Sequence, residues 1–354
     1  MLDIRHYFAG GNTPAGFYSY YEEVLPVEES RYAVYLKGGA GTGKSTLMKK
    51  WGTALAESGH TVEFLHCSGD PSSLDGIVVR ELGLLVVDGT APHVQDPKLA
   101  GVSGCIFDPA QFMDVSALLP HREELIALSR RKKECYARCY RDLSVAGLLY
   151  GGALEERGKA LSQNALYQVV ERVASDLFYD CPVAPVRGRI RHAFVSAITP
   201  RGVVDYSDTL FAGLKRWQLV NENGLGVHDL LTRIAEGALA RGMGVEAYCS
   251  PLFPKRMEHL VLTDLGIVLT SGAGEETIDL TACLDASVFA EAKRRTEEDF
   301  RLFDLFLSRA VGQLRAAGEA HAQMEDLTVP AMDFLGMDET FSRIRSTVDG
   351  LTKE

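Results

Sequence analysis

Apolar positions recur along this chain at two spacings, and the changes from one to the other predict strands alternating with helices. Tyr32-Ala33-Val34-Tyr35-Leu36 is aromatic and β-branched enough for a buried strand. Past a glycine-rich interval, Leu47, Met48, Trp51, Ala54 and Leu55 return at helical spacing until Gly59 supplies a C-terminal stop. Thr61 to His66 reads as a second strand, Ile77 to Leu82 as a short apolar segment, and Leu84 to Val87 as a third strand. A helical stretch opens near Pro120, a residue suited to a first helical turn. Leu125, Leu128, Cys135, Cys139, Leu143 and Ala146 keep helical spacing until Gly151-Gly152, expected to break the chain, and Leu161, Leu166, Val170, Val173 and Leu177 resume it. That pattern predicts an antiparallel helical hairpin attached to a small parallel sheet. The second half follows the same plan, with Phe300, Phe303, Leu307, Val311 and Leu314 on one helix and Phe341, Ile344, Val348 and Leu351 on the last.

The chain is written twice. Arg5-His6-Tyr7-Phe8-Ala9 with Thr13-Pro14-Ala15-Gly16 returns as Arg191-His192-Ala193-Phe194-Val195 with Thr199-Pro200-Arg201-Gly202, a spacing of 186 residues (191 − 5). Gly59-His60-Thr61-Val62-Glu63 matches Gly242-Met243-Gly244-Val245-Glu246 at 183 (242 − 59), and Leu82-Gly83-Leu84-Leu85 matches Leu265-Gly266-Ile267-Val268. A total of 354 residues suits two domains, joined near the proline-marked Asp180-Cys181-Pro182-Val183-Ala184-Pro185 and placed at 1–183 and 184–354.

Between the first strand and its helix lies Gly38-Gly39-Ala40-Gly41-Thr42-Gly43-Lys44-Ser45-Thr46, which satisfies the phosphate-cradling pattern G-x-x-x-x-G-K-[ST]. Polyphosphate is a concentrated anion, and glycines let backbone N–H groups converge on it without side chains in the way. Lys44 would place a charge on the β- and γ-phosphates, and Ser45 would offer its hydroxyl to Mg²⁺. The second magnesium ligand is expected at the end of a buried strand, where Leu84-Leu85-Val86-Val87 leads to Asp88. Gly89 follows, where many NTP-hydrolysing machines carry a Glu to orient water, and this argues against a fast motor.

In the second copy Gly41 and Gly43 persist as Gly224 and Gly226, but Lys44 corresponds to Val227, Ser45 to His228 and Asp88 to Ser271. The second half is therefore expected to be catalytically dead, with the alternative that His228 and Glu222 recognise another ligand in the old pocket.

Further candidates follow the second strand, where ligands sit in open α/β sheets. Asp70 is the candidate proton acceptor for an attacking hydroxyl or water; Asp75 and His66 are alternatives, although Asp70-Pro71-Ser72-Ser73 is also a plain turn. Thr90 and His93, past Asp88, are placed to sense the γ-phosphate or to form a turn around Pro92. Arg138 and Arg141 are candidates for an arginine finger or simple exposed helix residues.

A formal charge of −11 argues against a sequence-independent grip on nucleic acid or on an anionic membrane. Arg130-Arg131-Lys132-Lys133, interspersed with Glu123, Glu124 and Glu134, reads as a solvated helix face. The seven cysteines show neither zinc spacing nor a disulfide framework, and Cys135 and Cys139, one turn apart, read as small buried hydrophobes. No charged-then-apolar leader and no run of membrane-spanning length occur, so a cytoplasmic location is expected.

Arg5-His6-Tyr7-Phe8-Ala9-Gly10-Gly11-Asn12-Thr13, Leu36 to Thr46, His66-Cys67-Ser68 and Asp88-Gly89-Thr90-Ala91-Pro92-His93 together resemble a family of bacterial P-loop ATPases with duplicated NTPase-like halves. The resemblance implies nucleotide-binding roles for Gly38 to Thr46. The expectation is an α/β fold of two tandem P-loop NTPase-like parallel-sheet domains, each with a helical hairpin appendage: an active domain at 1–183 and a degenerate one at 184–354. Lys44, Asp88 and Asp70 are the expected catalytic residues, with ATP and Mg²⁺ as cofactors, adenine being the default base. Slow ATP hydrolysis with a regulatory second half leads. A small-molecule kinase and a nucleotide-gated protein-interaction module are the alternatives, so a metabolite or a protein is the further partner.

Overall fold

The computed structural model describes residues 2–26, 28–91 and 94–351. The first half comprises β1 (Ile4–Tyr7), β2 (Gly10–Thr13), β3 (Gly16–Ser19), α1 (Tyr21–Val24), β4 (Tyr32–Leu36), α2 (Lys44–Glu57), β5 (Val62–His66), β6 (Leu74–Val79), β7 (Leu84–Asp88) and β8 (Gly104–Phe107). Helices α3 (Val115–Leu118), α4 (Arg122–Gly158) and α5 (Gln163–Phe178) follow. The second half comprises β9 (Ile190–Ala193), β10 (Ser196–Thr199), β11 (Gly202–Asp205), α6 (Ser207–Leu210), β12 (Lys215–Val220), α7 (Val227–Ala240), β13 (Val245–Cys249), β14 (Met257–Leu262), β15 (Ile267–Thr270) and β16 (Glu276–Asp279). It ends in α8 (Ala286–Arg295), α9 (Glu297–Thr328) and α10 (Phe334–Leu351).

The α/β class holds, but the sheets are mixed rather than parallel. In the first, ordered β1-β5-β6-β7-β4-β8, β1 pairs β5 and β4 pairs both β7 and β8 in parallel, while β6 runs antiparallel between β5 and β7. The apolar segment expected at 77–82 is thus the second half of a strand plus the turn Arg80–Leu82, completed by Gly83 at φ +59. The cause is connection length: so short a link between neighbouring strands can only fold back, whereas a parallel pair needs a crossover of roughly a dozen residues. The second sheet, β16-β12-β15-β14-β13-β9, uses the equivalent strands in the same order.

A third sheet, β11-β10-β2-β3, joins the halves. Phe8 and Phe194 exchange reciprocal backbone hydrogen bonds of 2.9 Å, and Ile198 pairs with Asn12. These are the same residues that the 186-residue spacing equates, so the halves meet on an approximate two-fold axis. Beside it Arg5 and Arg191 lie between Glu63 and Glu246, both acids almost fully buried.

The expected helical hairpins are not formed. α4 runs unbroken for 37 residues through Gly151 and Gly152. Two glycines cost a helix about 2 kcal/mol, and antiparallel packing on α9 offsets this, with Tyr150 against Phe300 and Phe303. The partner of α4 is therefore the long helix of the other half. The shorter helices are exchanged as well: Leu166, Val170, Val173 and Leu177 of α5 join the core of the second sheet, and Met337, Phe341 and Val348 of α10 join that of the first. Matching backbone bonds hold them, Asp285 N–H to Ala160 at 2.9 Å and Asp114 N–H to Ala331 at 2.8 Å. Among the described residues no helix is long and apolar enough to cross a membrane.

Candidate phosphate-binding site

β4 delivers Leu36 to the carboxyl-end side of the sheet, where its pairing register sets Asp88 of β7 directly opposite. The chain then turns through Gly38, Gly41 and Gly43, at φ +120, +74 and +79, before α2 begins at Lys44. At Gly41 a β-carbon would be strained by the backbone and would overlap the Thr328 hydroxyl at the end of α9. Thr42, buried, ties the loop by donating to the Gly39 carbonyl at 3.0 Å.

The chemistry-bearing groups converge here. Lys44 Nζ donates to the carbonyls of Gly38 (2.7 Å) and Gly39 (3.0 Å) and lies 3.6 Å from Asp88 Oδ2. The other oxygen of Asp88 accepts from Thr90, from N–H at 2.9 Å and from the hydroxyl at 2.5 Å, which fixes the carboxylate's direction. Ser45 Oγ accepts from Leu74 N–H at 2.9 Å, joining α2 to β6. Lys37 draws the segment past Asp88 inward, donating to the carbonyls of Gly89 and Gln95 at 2.8 Å each. A cation, a carboxylate, a hydroxyl and the N-terminus of a 14-residue helix thus gather at the carboxyl ends of β4 and β7. Among the described residues no group of three or more His, Cys, Asp or Glu side chains is placed to hold a metal. Mg²⁺ bound through one carboxylate and substrate phosphates needs no such cage.

The other candidates fall differently. Asp70 is a turn residue: its carboxylate accepts from Ser72 N–H (3.0 Å), Ser72 Oγ (2.6 Å) and Ser73 Oγ (2.7 Å). His66 is buried; its Nδ1 lies 2.8 Å from the Pro71 carbonyl and therefore carries the proton, leaving Nε2 to accept from His6 Nδ1 at 2.8 Å. Burial pushes its pKa down to about 4. Asp75 is buried and accepts from Tyr21 OH at 3.1 Å. Arg138 and Arg141 are exposed, Arg141 lying against the neighbouring Asp142. His93 lies outside the described residues. Cys135 and Cys139 are buried as expected.

One group departs from its expected place. Lys132, read as part of a solvated face, turns inward from α4 and donates to His321 Nδ1 at 2.9 Å. Its burial lowers its pKa, while the carboxylates of Glu325 and Asp88 act to raise it and the Lys44 charge to lower it. Nothing in the local pattern around residues 130–133 separates Lys132 from its neighbours; only the pairing of α4 with α9 does.

At the second loop Gly224 and Gly226 keep the left-handed backbone, at φ +76 and +78. His228 Nδ1 accepts from Met257 N–H at 3.2 Å, the bond that Ser45 makes to Leu74 in the first half. Asn221, equivalent to Gly38, accepts from Gly224 N–H at 2.7 Å and donates to Ser271 Oγ at 3.1 Å. Arg157 closes over it, donating to Asn223 Oδ1 (2.6 Å) and Thr296 Oγ1 (2.8 Å) with its guanidinium on Phe300. The Gly224 amide and the side chains of Asn221, Asn223 and Ser271 at the second loop are thus partnered by the chain's own groups. No family model, curated protein or solved structure matches this chain.

Proposed function

We propose that the chain binds Mg²⁺ and ATP at Gly38 to Thr46 and hydrolyses the nucleotide slowly, in the first of two P-loop NTPase-like halves that arose by tandem duplication. The observation that carries this reading is the asymmetry of two loops that turn through left-handed glycines at equivalent positions, Gly41 and Gly43 against Gly224 and Gly226: Lys44, Ser45 and Asp88 converge at one, and Val227, His228 and Ser271 stand at the other. The N–H groups of the loop and of the α2 N-terminus would cradle the polyphosphate, and Lys44 would exchange its carbonyl partners for phosphate oxygens. Ser45 and Asp88 would hold Mg²⁺, with Thr90 keeping Asp88 oriented. A bound Mg²⁺ supplies neutralisation of the β- and γ-phosphate oxygens. Gly89, in place of a water-orienting acid, limits the rate.

A nucleotide-gated interaction module is the second reading, favoured by the end of α9, where Thr328 donates to the Ala40 carbonyl at 3.0 Å. A small-molecule kinase draws less support, because its expected base, Asp70, is engaged in its own turn. The test is Mg²⁺-dependent binding and turnover of ATP and GTP by the wild type and Lys44→Ala. A loss of about a hundredfold in affinity is expected; unchanged affinity overturns the assignment.

A further inference from the structure

Three side chains connect the long helices to the phosphate loop. Lys132 of α4 can only donate, so His321 Nδ1 of α9, 2.9 Å away, accepts, and the ring proton lies on Nε2, which faces Glu325 Oε1 at 3.5 Å. Glu325 lies one turn before Thr328, whose hydroxyl sits on Ala40 and over Gly41. The His321 ring and the Gly41 amide hold the Glu325 carboxyl below its ordinary value. A cation, a neutral ring and an anion thus run in line to an amide of the phosphate loop.

The second half shows what this line is for. The bridges Leu161–Leu284 and Met113–Met332 relate α4 to α9 by 171 residues (332 − 161 and 284 − 113). In that register Lys132 corresponds to Phe303, His321 to Tyr150 and Glu325 to Leu154. The contact itself persists: Phe303 and Tyr150 touch, ring centroids 4.8 Å apart, as Lys132 and His321 do. Apolar packing serves this position in the scaffold where the adjacent loop lacks its lysine, hydroxyl and acid. Charge stands there only where the loop keeps all three, so helix packing alone does not account for it.

We propose that Lys132 is a ligand for the terminal phosphate of the bound triphosphate, held by His321 in readiness, and that Glu325 holds that phosphate's place at the loop. The proposal rests on the nucleotide-binding reading of Gly38 to Thr46. A triphosphate carries several negative charges to the loop, so repulsion drives the Glu325 carboxylate off Gly41. His321 then loses its acceptor, and the Lys132 ammonium takes the incoming oxygens in a charge-assisted hydrogen bond. Because the group recognised is the terminal phosphate, the line distinguishes triphosphate from diphosphate.

Competition titrations of the full chain with Mg·ATP and Mg·ADP test this in the wild type, Lys132→Met, Lys132→Arg, Glu325→Gln and Lys44→Ala. Lys132→Met is expected to weaken ATP about tenfold or more while ADP stays within about twofold, and Lys132→Arg to recover most of the loss. Glu325→Gln, relieved of the competing charge, is expected to bind ATP more tightly. If Lys132→Met weakens both nucleotides alike, or neither, the proposal is overturned even though Lys44→Ala abolishes binding. If the wild type binds no nucleotide, or Lys44→Ala binds as the wild type does, the loop assignment falls and the proposal with it.

Discussion

Replacing Glu246 by Gln should loosen the joint between the two halves, by an amount the structure sets. Glu246 is 6% exposed and accepts from Arg5 at 3.2 and 2.7 Å, from Tyr248 OH at 2.6 Å and from Arg191. Burial alone would raise its pKa; the two guanidinium charges and these hydrogen bonds overcome that and push it from 4.5 down to about 2. At about 1.4 kcal/mol for each tenfold change in proton affinity, this contributes about 3 kcal/mol at pH 7. The amide keeps an acceptor but not the charge, leaving Arg5 and Arg191 with Glu63 alone. A cost of about 3 kcal/mol is therefore expected, as for the breaking of other buried pairs.

The sign of the pH dependence separates this effect from generic damage. A carboxylate held below its unfolded value contributes fully above about pH 4.5 and loses its contribution as pH falls towards 2. The gap between wild type and Glu246→Gln in equilibrium urea unfolding should thus be constant from pH 7 to 5 and close steadily below. His66 and His259, both held near 4 by burial, destabilise the fold once pH falls below their unfolded value of 6.5. That loss is common to both proteins and cancels in the difference. A gap under about 1 kcal/mol at pH 7, or one that does not change with pH, would refute the assignment of the stabilisation to this charge cluster.

Two further outcomes follow from the packing. Gly41→Ala places a β-carbon at φ +74 against Thr328, so a destabilisation of about 1–3 kcal/mol with weakened nucleotide binding is expected, and Thr328→Ala in the same chain should recover part of both. A fragment ending at residue 183 lacks α10, whose Met337, Phe341 and Val348 are at most 3% exposed in the first core. Its single tryptophan, Trp51, touches Phe341 at 5.5 Å and should emit at longer wavelength than in the full chain; a cooperatively folded fragment with buried emission would contradict the exchange.

What could be read from the sequence was whatever is specified locally. The strand at 32–36, the glycine loop and the helix behind it depend on residues within one stretch, and the 186-residue spacing names the pairs that meet at Phe8 and Phe194. β6 was legible in part, since the short link through Gly83 already excludes a parallel partner. The course of α4 was not: glycine pairs end helices on average, and it is packing against the other half's helix, the contacts of Tyr150 with Phe300 and Phe303 among it, that offsets their cost here. Lys132 was illegible for the same reason, because its partner His321 lies 189 residues away. At Asp70 the turn that the local sequence already offered is formed, its carboxylate accepting from Ser72 and Ser73.

The two loops share left-handed glycines at two equivalent positions but are closed by different kinds of group, and the difference bears on what a polyanion could displace. At the first loop the closing side chains are a hydroxyl on the Ala40 carbonyl and an acid near the Gly41 amide, so the polyphosphate proposed for that loop would compete directly with a group of its own charge. At the second, the Gly224 amide is taken by a neutral side chain in the loop itself, and the cation above it, Arg157, is fixed by two hydrogen bonds and an aromatic face. Both closing elements belong to the α4–α9 pair: Thr328 ends α9 at the first loop, and Arg157, near the end of α4, is bonded to Thr296 before the start of α9 at the second. A change at the first loop therefore acts on one end of a helix whose other end is anchored.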